Sequence, residues 1–262
     1  MPGRKVMAKG ESMLLKGKIC VITGAGSVRG LGRATAVLFA DHGAHVMVLD
    51  IDLAAARDTV AALRGRGHMA VRCDVTRRID AEKAIGRVLA RHGHIDVLVN
   101  NAGITAPDRL MDVTDALYDR IMDVNMRGCF HMTQAVVPAM RAARSGSIVN
   151  MSSVAGQRGG GVFGGTPYAA AKAAVLGYTK ACARELGADN IRVNAICPSL
   201  IDTDITSGAL SPERRSEILA TVPMARVGTA AEVAGCCLFL ASSLSGYVTG
   251  SEIDVNGGSH IH

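Results

Sequence analysis

The sequence predicts an α/β fold: a single doubly wound domain with a seven-stranded parallel sheet and helices on both faces. Three observations predict it. Short β-branched runs alternate with longer Ala-rich segments whose apolar residues recur at three- and four-residue spacings. Glycine clusters fall where the β-branched runs end, and neither a Pro/Ser-rich linker nor a repeat divides the 262 residues.

In chain order, the strands are expected at 18–23, 44–49, 69–73, 96–99, 147–151, 191–196 and 252–255, each a short run rich in Val and Ile. Between them, 31–42, 53–63, 77–91, 115–143, 168–186 and 230–241 carry the helical period. A strand, a helix and a further strand in one sheet form a right-handed crossover, which places a ligand crevice at the carboxyl ends of the strands, where the glycines lie.

Composition narrows the function. Hydrophobic residues make up 48% of the chain and charged ones 20%, enough for a large core and incompatible with a disordered chain. Aromatics are only 3%, with no Trp, which argues against a base-stacking nucleic-acid platform. Half of the net charge of +6 comes from residues 1–16, where Arg4, Lys5, Lys9 and Lys16 face only Glu11. That leader lacks the apolar stretch of a secretory signal and is expected to be a flexible basic extension of a cytoplasmic protein, with the folded domain at 17–262. The uncharged stretch 233–251 is interrupted by Ser, Thr and Gly, so no membrane span is expected. Seven cysteines, an odd number without a C-x-x-C pair, are expected to be reduced core thiols.

Strand one runs through Thr23, Gly24, Ala25, Gly26, Ser27, Val28, Arg29, Gly30, Leu31 and Gly32 directly into a helix. Glycines at such a junction let the backbone approach a pyrophosphate, which the helix N-terminus stabilises. Strand two ends at Asp50, whose carboxylate can accept both hydroxyls of an adenosine ribose and would repel a 2′-phosphate, favouring NAD. Arg29 argues the other way, because a cation there could pair with that phosphate of NADP. Asp50 acts at closer range and carries the greater weight; Asp52 is expected to cap the next helix.

Tyr168 and Lys172 stand four apart on a predicted helix and share one face. An ammonium beside a phenol is expected to lower the phenol's pKa, which suits a general base taking an alcohol proton, or an acid returning it.

These segments together resemble the short-chain dehydrogenase/reductases over the whole chain from Lys16 onward. The Thr23-Gly24-Ala25 opening, Cys73-Asp74-Val75, Asn100-Asn101-Ala102-Gly103, Ser152-Ser153, Tyr168-x-x-x-Lys172 and Asp254-Val255-Asn256-Gly257-Gly258 occur in that family's order. The resemblance implies a Rossmann fold, a nicotinamide cofactor and oxidoreduction at a CH–OH group of a small-molecule substrate. By the same resemblance Gly24, Ser27, Arg29, Gly30, Leu31 and Gly32 meet the dinucleotide, and Asp74 and Val75 meet the adenine. Asn101, Ala102 and Gly103 line the ribose side. The segment 196–203 resembles the loop beside the nicotinamide, giving Pro198, Ser199, Ile201 and Thr203 cofactor contacts, Thr203 with the carboxamide. Ser153 would hold the substrate oxygen, Tyr168 move the proton, and Asn125 hold a water connecting Lys172 to solvent. Ser152 is expected to be structural, and a homotetramer joined through the helices at 115–143 and 168–186 and the last strand is implied.

Two departures stand out. Five residues separate Gly24 from Gly30 where the family usually has three, so the loop must bulge. Ser199 stands where the family has Gly; it either takes a strained positive φ or an ordinary conformation.

The other patterns carry less. His260 and His262 lack a thiolate or carboxylate cluster in sequence and read as a tail, and His92 and His94 as loop residues; no metal is expected. No G-x-S-x-G elbow supports hydrolysis. The stretch 157–165 contains five glycines and is expected to form a mobile pocket wall, with Arg158 a candidate for an anionic group or a simple loop cation. Residues 202–212 are expected to cover the substrate, and their polarity points to a sugar, polyol or hydroxy acid. A 3-oxoacyl thioester is the alternative substrate, and a non-catalytic dinucleotide sensor the alternative role.

Overall fold

The protein is described by a computed structural model at residues 13–161, 163–204, 206 and 211–261. Seven parallel strands form one sheet: β1 (Ile19–Thr23), β2 (His45–Asp50), β3 (Met69–Arg72), β4 (Val97–Asn100), β5 (Gly146–Met151), β6 (Ile191–Pro198) and β9 (Glu252–Val255). Two further short strands, β7 (Ile201–Asp202) and β8 (Gly228–Thr229), pair with each other beyond it. The helices are α1 (Leu31–Asp41), α2 (Leu53–Ala61), α3 (Arg78–His92), α4 (Asp115–Met122), α5 (Gly128–Ala143), α6 (Val154–Arg158), α7 (Thr166–Leu186), α8 (Pro212–Ala220) and α9 (Ala230–Ala241).

The main sheet runs β3-β2-β1-β4-β5-β6-β9. Its strands are covered on both faces, and alternate side chains feed two separate cores. Along β1, Cys20 and Ile22 join the cluster under α1 and α9 that holds Phe39, Val233 and Leu240. Ile19 and Val21 join the opposite cluster under α3 and α5, with Val88, Met132 and Met140. Complete burial of each such aliphatic side chain stabilises the fold by about 1.5–3 kcal/mol, and shifting a strand by one residue would exchange its two faces.

Strand order reverses between β1 and β4, so the crevice opens where both end. Asn101, just past β4, donates from Nδ2 to the carbonyls of Thr23 and Gly24 at 2.9 and 2.8 Å, which ties the two strand ends together. Gly24 has φ +62, and a Cβ there would lie 2.6 Å from Ala102 Cα, so the position admits only glycine.

Three differences from the sequence expectation have local causes, and one open choice is decided. The helix expected over 115–143 is two helices joined by a π-helical turn at Asp123–Arg127. Apolar periodicity does not register such a turn, because the flanking segments keep their own period. The expected mobile wall at 157–165 begins in a helix instead: α6, whose N-cap is Ser153, takes in Gln157 and Arg158. Leu15, assigned to the leader, is fully buried in the core, and its N–H donates to the carbonyl of His42 at 3.1 Å. Ser199 is not among the non-glycine residues with positive φ, so of its two conformations the ordinary one is present.

Candidate active site

A cleft of about 970 Å³ runs along the carboxyl edge of the sheet. It brings together Gly24, Ser27, Gly30, Leu31, Asp50, Asp74, Val75, Asn101, Ala102 and Gly103 with Asn125, Ser153, Tyr168, Lys172, Pro198, Ser199, Ile201 and Thr203. Two residues expected there do not line it. Gly32 lies beneath, where a Cβ would come within 2.6 Å of Asn101 Nδ2 and 2.7 Å of the Gly24 carbonyl, so its role is close packing of helix on strand. Arg29 turns to the side and pairs with Asp202 at 2.6 Å.

At the end formed by the glycine loop, α1 begins at Gly30 with no side-chain cap and no acidic residue in its first turn. Its leading N–H groups and positive dipole end suit an anion. Asp50 is fixed from both sides: Oδ2 accepts from the Gly26 N–H at 2.8 Å and Oδ1 from the Asp52 N–H at 3.1 Å. Asp52 caps α2, accepting from the N–H groups of Ala54 and Ala55. Asp74 holds its own turn by accepting from the Thr76 N–H and hydroxyl at 3.0 and 2.7 Å.

At the other end, β5 and α7 set the reactive groups. Ser152 donates from Oγ to the Lys172 carbonyl at 2.8 Å, a structural clamp between strand end and helix. Ser153 Oγ accepts from the Ala155 N–H at 3.1 Å as it caps α6. Its hydroxyl donates to the Pro198 carbonyl at 3.5 Å, and it lines the cleft with Tyr168. Lys172 is only 4% exposed; its Nζ donates to the Met151 carbonyl at 2.8 Å and stands 5.6 Å from the centre of the Tyr168 ring.

The expected lowering of the phenol's pKa is opposed here by burial. Burial raises the Tyr168 pKa, and the polar Ser153 side chain only partly opposes it. Burial also lowers Lys172 to about 8. The ammonium is bonded to the backbone of β5 and lies over the ring, so it gives the phenolate less support than a direct contact with the hydroxyl would.

The π-helical turn carries Asn125 inward, where Nδ2 donates to the carbonyls of Ile104 and Ile121, both at 2.9 Å. Its Oδ1 is buried without a hydrogen-bond partner. A Cβ on Gly103 would sit 2.8 Å from that oxygen and 3.4 Å from Lys172 Nζ, so the missing side chain leaves a gap between an acceptor and an ammonium. The uncapped α1, the fixed Asp50 carboxylate and this lone acceptor fit a bound dinucleotide.

A family model described as Enoyl-(Acyl carrier protein) reductase matches residues 24–260, from the glycine loop past the last strand. The chain belongs to the short-chain dehydrogenase/reductases. Within that family it is 53% identical to a short-chain type dehydrogenase/reductase of Sinorhizobium fredii, over 95% of this chain and 100% of that one. It is 45% identical to the 3-oxoacyl-[acyl-carrier-protein] reductase FabG of Thermotoga maritima, over 94% and 99%. A crystal structure described as that of a short-chain alcohol dehydrogenase from Sinorhizobium meliloti superposes with a TM-score of 0.89 at 35% identity, covering 95% of this chain and 98% of that one.

Several lining residues of this short-chain dehydrogenase/reductase were not singled out by motif: Ile51, Thr76, Ile104 and Thr105. Ile104 and Thr105 follow Gly103 directly, so continuing past that motif finds them. Arg158 also lines the cleft, its guanidinium donating to the Ser259 carbonyl at 2.7 Å. Of the segment expected to cover the substrate, Ile205 and residues 207–210 lie outside the described residues, as do residues 1–12 and His262. The cysteines are free thiols. Among the described residues no cluster of three or more metal-ligating side chains occurs, and no helix is long and apolar enough to cross a membrane.

Proposed function

We propose that this short-chain dehydrogenase/reductase is an NAD-linked enzyme that interconverts a secondary alcohol and a ketone. The observation that carries the proposal is the gathering of Ser153, Tyr168 and a buried Lys172 in the same cleft as Asp50, with Lys172 Nζ 5.6 Å from the centre of the Tyr168 ring. The nicotinamide, when bound, supplies or accepts the hydride. The chain's own residues manage the oxygen and the proton. Ser153 orients the substrate oxygen against the Tyr168 hydroxyl, and Tyr168 gives its proton to that oxygen in reduction or takes it in oxidation. With its pKa raised by burial, Tyr168 is a phenol at neutral pH, which suits donation to a ketone. Lys172 is the charged group behind the ring, and a water between Asn125 Oδ1 and its Nζ would carry the proton onward. Asp50 would accept from the ribose hydroxyls and disfavour a 2′-phosphate; because Arg29 is paired with Asp202, the cation that argued for NADP is already engaged.

The substrate we propose is a sugar, polyol or hydroxy acid, supported by the polar side chains of Thr105, Asp119, Arg120 and Arg158 around the cleft. A 3-oxoacyl thioester is the second reading, favoured by the 45% identical Thermotoga maritima relative and by the apolar Ile104, Phe163, Leu200 and Ile218 on the same walls. We further propose assembly as a homotetramer.

The test is nicotinamide absorbance with NAD⁺, NADP⁺ and their reduced forms against polyols, hydroxy acids, keto sugars and 3-oxoacyl thioesters. Turnover is expected with NAD(H), and Tyr168→Phe is expected to lower it by about 10²–10⁴-fold while dinucleotide affinity stays within about twofold. A Tyr168→Phe enzyme that keeps most of its activity would refute the mechanism. Tight binding without turnover of any substrate would favour the sensor role.

A further inference from the structure

The loop between Gly24 and Gly30 is tied to the segment after β7 by one carboxylate. Asp204 Oδ2 accepts from the Ser27 hydroxyl at 2.5 Å and from the Arg29 N–H at 3.1 Å, while the Arg29 guanidinium holds Asp202 at 2.6 Å. The Ser27 hydrogen bond, with that of Arg29, keeps the Asp204 carboxyl below the usual carboxylate range, so it is an anion at any physiological pH. Ser27, Gly30 and Asp204 all line the cleft, immediately before the first turn of α1. That turn has no acidic residue and no side-chain cap of its own. The anion beside this helix N-terminus is therefore supplied from a distant part of the chain.

We propose that Asp204 is a placeholder for a phosphate of the dinucleotide, bound to donors that the diphosphate itself would take. This rests on the dinucleotide reading of the cleft. A carboxylate and a diphosphate cannot share the Ser27 hydroxyl and the Arg29 N–H, because both are acceptors and their charges repel at contact distance. Ser27, Arg29, Asp202 and Asp204 are all exposed, so the clasp is weak enough for a doubly charged ligand to displace. Two consequences follow. Apparent affinity for the dinucleotide is reduced by the fraction of molecules that are clasped. Displacement also detaches Asp204 from the glycine loop, so the segment carrying buried Thr203 senses whether the phosphate cradle is filled.

Titration calorimetry with ADP-ribose, which carries the diphosphate but no nicotinamide, tests this without turnover; adenosine serves as the phosphate-free arm. Asp204→Asn and Asp204→Ala are expected to tighten ADP-ribose about two- to fivefold and to leave adenosine unchanged. A cycle with Ser27→Ala separates the clasp from a simple loss of negative charge. Ser27→Ala should weaken ADP-ribose at least about twofold more in the Asp204→Asn background than in the wild type, because in the wild type it also loosens the competitor. Unchanged or weaker binding by both Asp204 variants, or a strictly additive cycle, overturns the placeholder alone. Absence of ADP-ribose and NAD⁺ binding to the wild type would overturn the dinucleotide reading and the placeholder with it.

Discussion

Lys172 donates from Nζ to the carbonyl oxygen of Met151 at 2.8 Å, so the ammonium of the Tyr168-x-x-x-Lys172 pair is anchored on the end of β5. Strand β5 thus supplies Ser153 just beyond its end and also fixes the charge behind Tyr168. The bond compensates part of the desolvation of a buried ammonium, and burial still lowers its pKa to about 8.

The sign of that shift gives a stability prediction. Below pH 8 Lys172 is charged in both folded and unfolded chains, and the folded state bears the whole desolvation penalty. Between pH 8 and the unperturbed 10.5 the folded chain has lost the proton and the unfolded chain has not, so the penalty fades as pH rises. Lys172→Met is expected to stabilise the fold at pH 7 by about 2 kcal/mol, from a shift worth about 3 less about 1 for the lost hydrogen bond. Denaturant titrations at pH 7 and pH 10 should show the gain shrinking. The same variant should lose about 10²-fold or more in turnover. In the wild type kcat/KM for ketone reduction is expected to fall as pH passes 8.

Asp50 holds the Gly26 N–H and is the carboxylate we propose to select NAD, and one substitution separates the two. Asp50→Ser should weaken NAD⁺ by about tenfold and narrow or reverse the preference over NADP⁺, because the repelling carboxylate is gone. It also removes the acceptor for the Gly26 N–H, so some loss of affinity for both dinucleotides is expected. Dissociation constants for both cofactors measure the two effects; an unaltered ratio would refute the selectivity role.

Gly156 lies where α6 crosses α7. A Cβ there would come within 2.6 Å of the Lys172 carbonyl carbon and 2.7 Å of the Ala173 nitrogen, both backbone atoms that cannot swing aside. Gly156→Ala is expected to destabilise the protein by about 1–3 kcal/mol and to lower kcat at least about tenfold by pushing Ser153 away from Tyr168. Affinity for ADP-ribose, measured by calorimetry, should be retained.

Helix α7 leaves Ala170, Ala173 and Gly177 exposed along one face, and a Cβ on Gly177 would meet nothing within 4 Å. Small residues on one face permit close helix approach. Light scattering is expected to give the mass of a tetramer, and Ala173→Arg to reduce it; a wild-type monomer at working concentration would refute the proposed assembly.

The parallel sheet was legible because buried strands read as β-branched runs, and the cleft because glycine and polar motifs follow strand ends. What stayed hidden was decided by tertiary contact. Asn125 was found as a residue, yet the π-helical turn that presents it leaves no mark on apolar spacing. Leu15 looked like part of a charged leader because its neighbours are charged; its burial depends on His42, far along the chain. The direction of the Tyr168 shift comes from its burial in the folded chain, which helical spacing alone does not fix. The Asp204 contact joins residues 177 positions apart in sequence, beyond any local pattern.

The π-helical turn between α4 and α5 also sets a trap for protein engineering. Deleting one residue within Asp123–Arg127 would convert the region into a single regular rod, a better helix by ordinary criteria. The same deletion would swing the amide of Asn125 away from the gap beside Gly103 and Lys172. A campaign that ranks variants only by heat tolerance would select for this repair and discard the proposed proton route unnoticed, so the turn should be held fixed whenever the rod is redesigned.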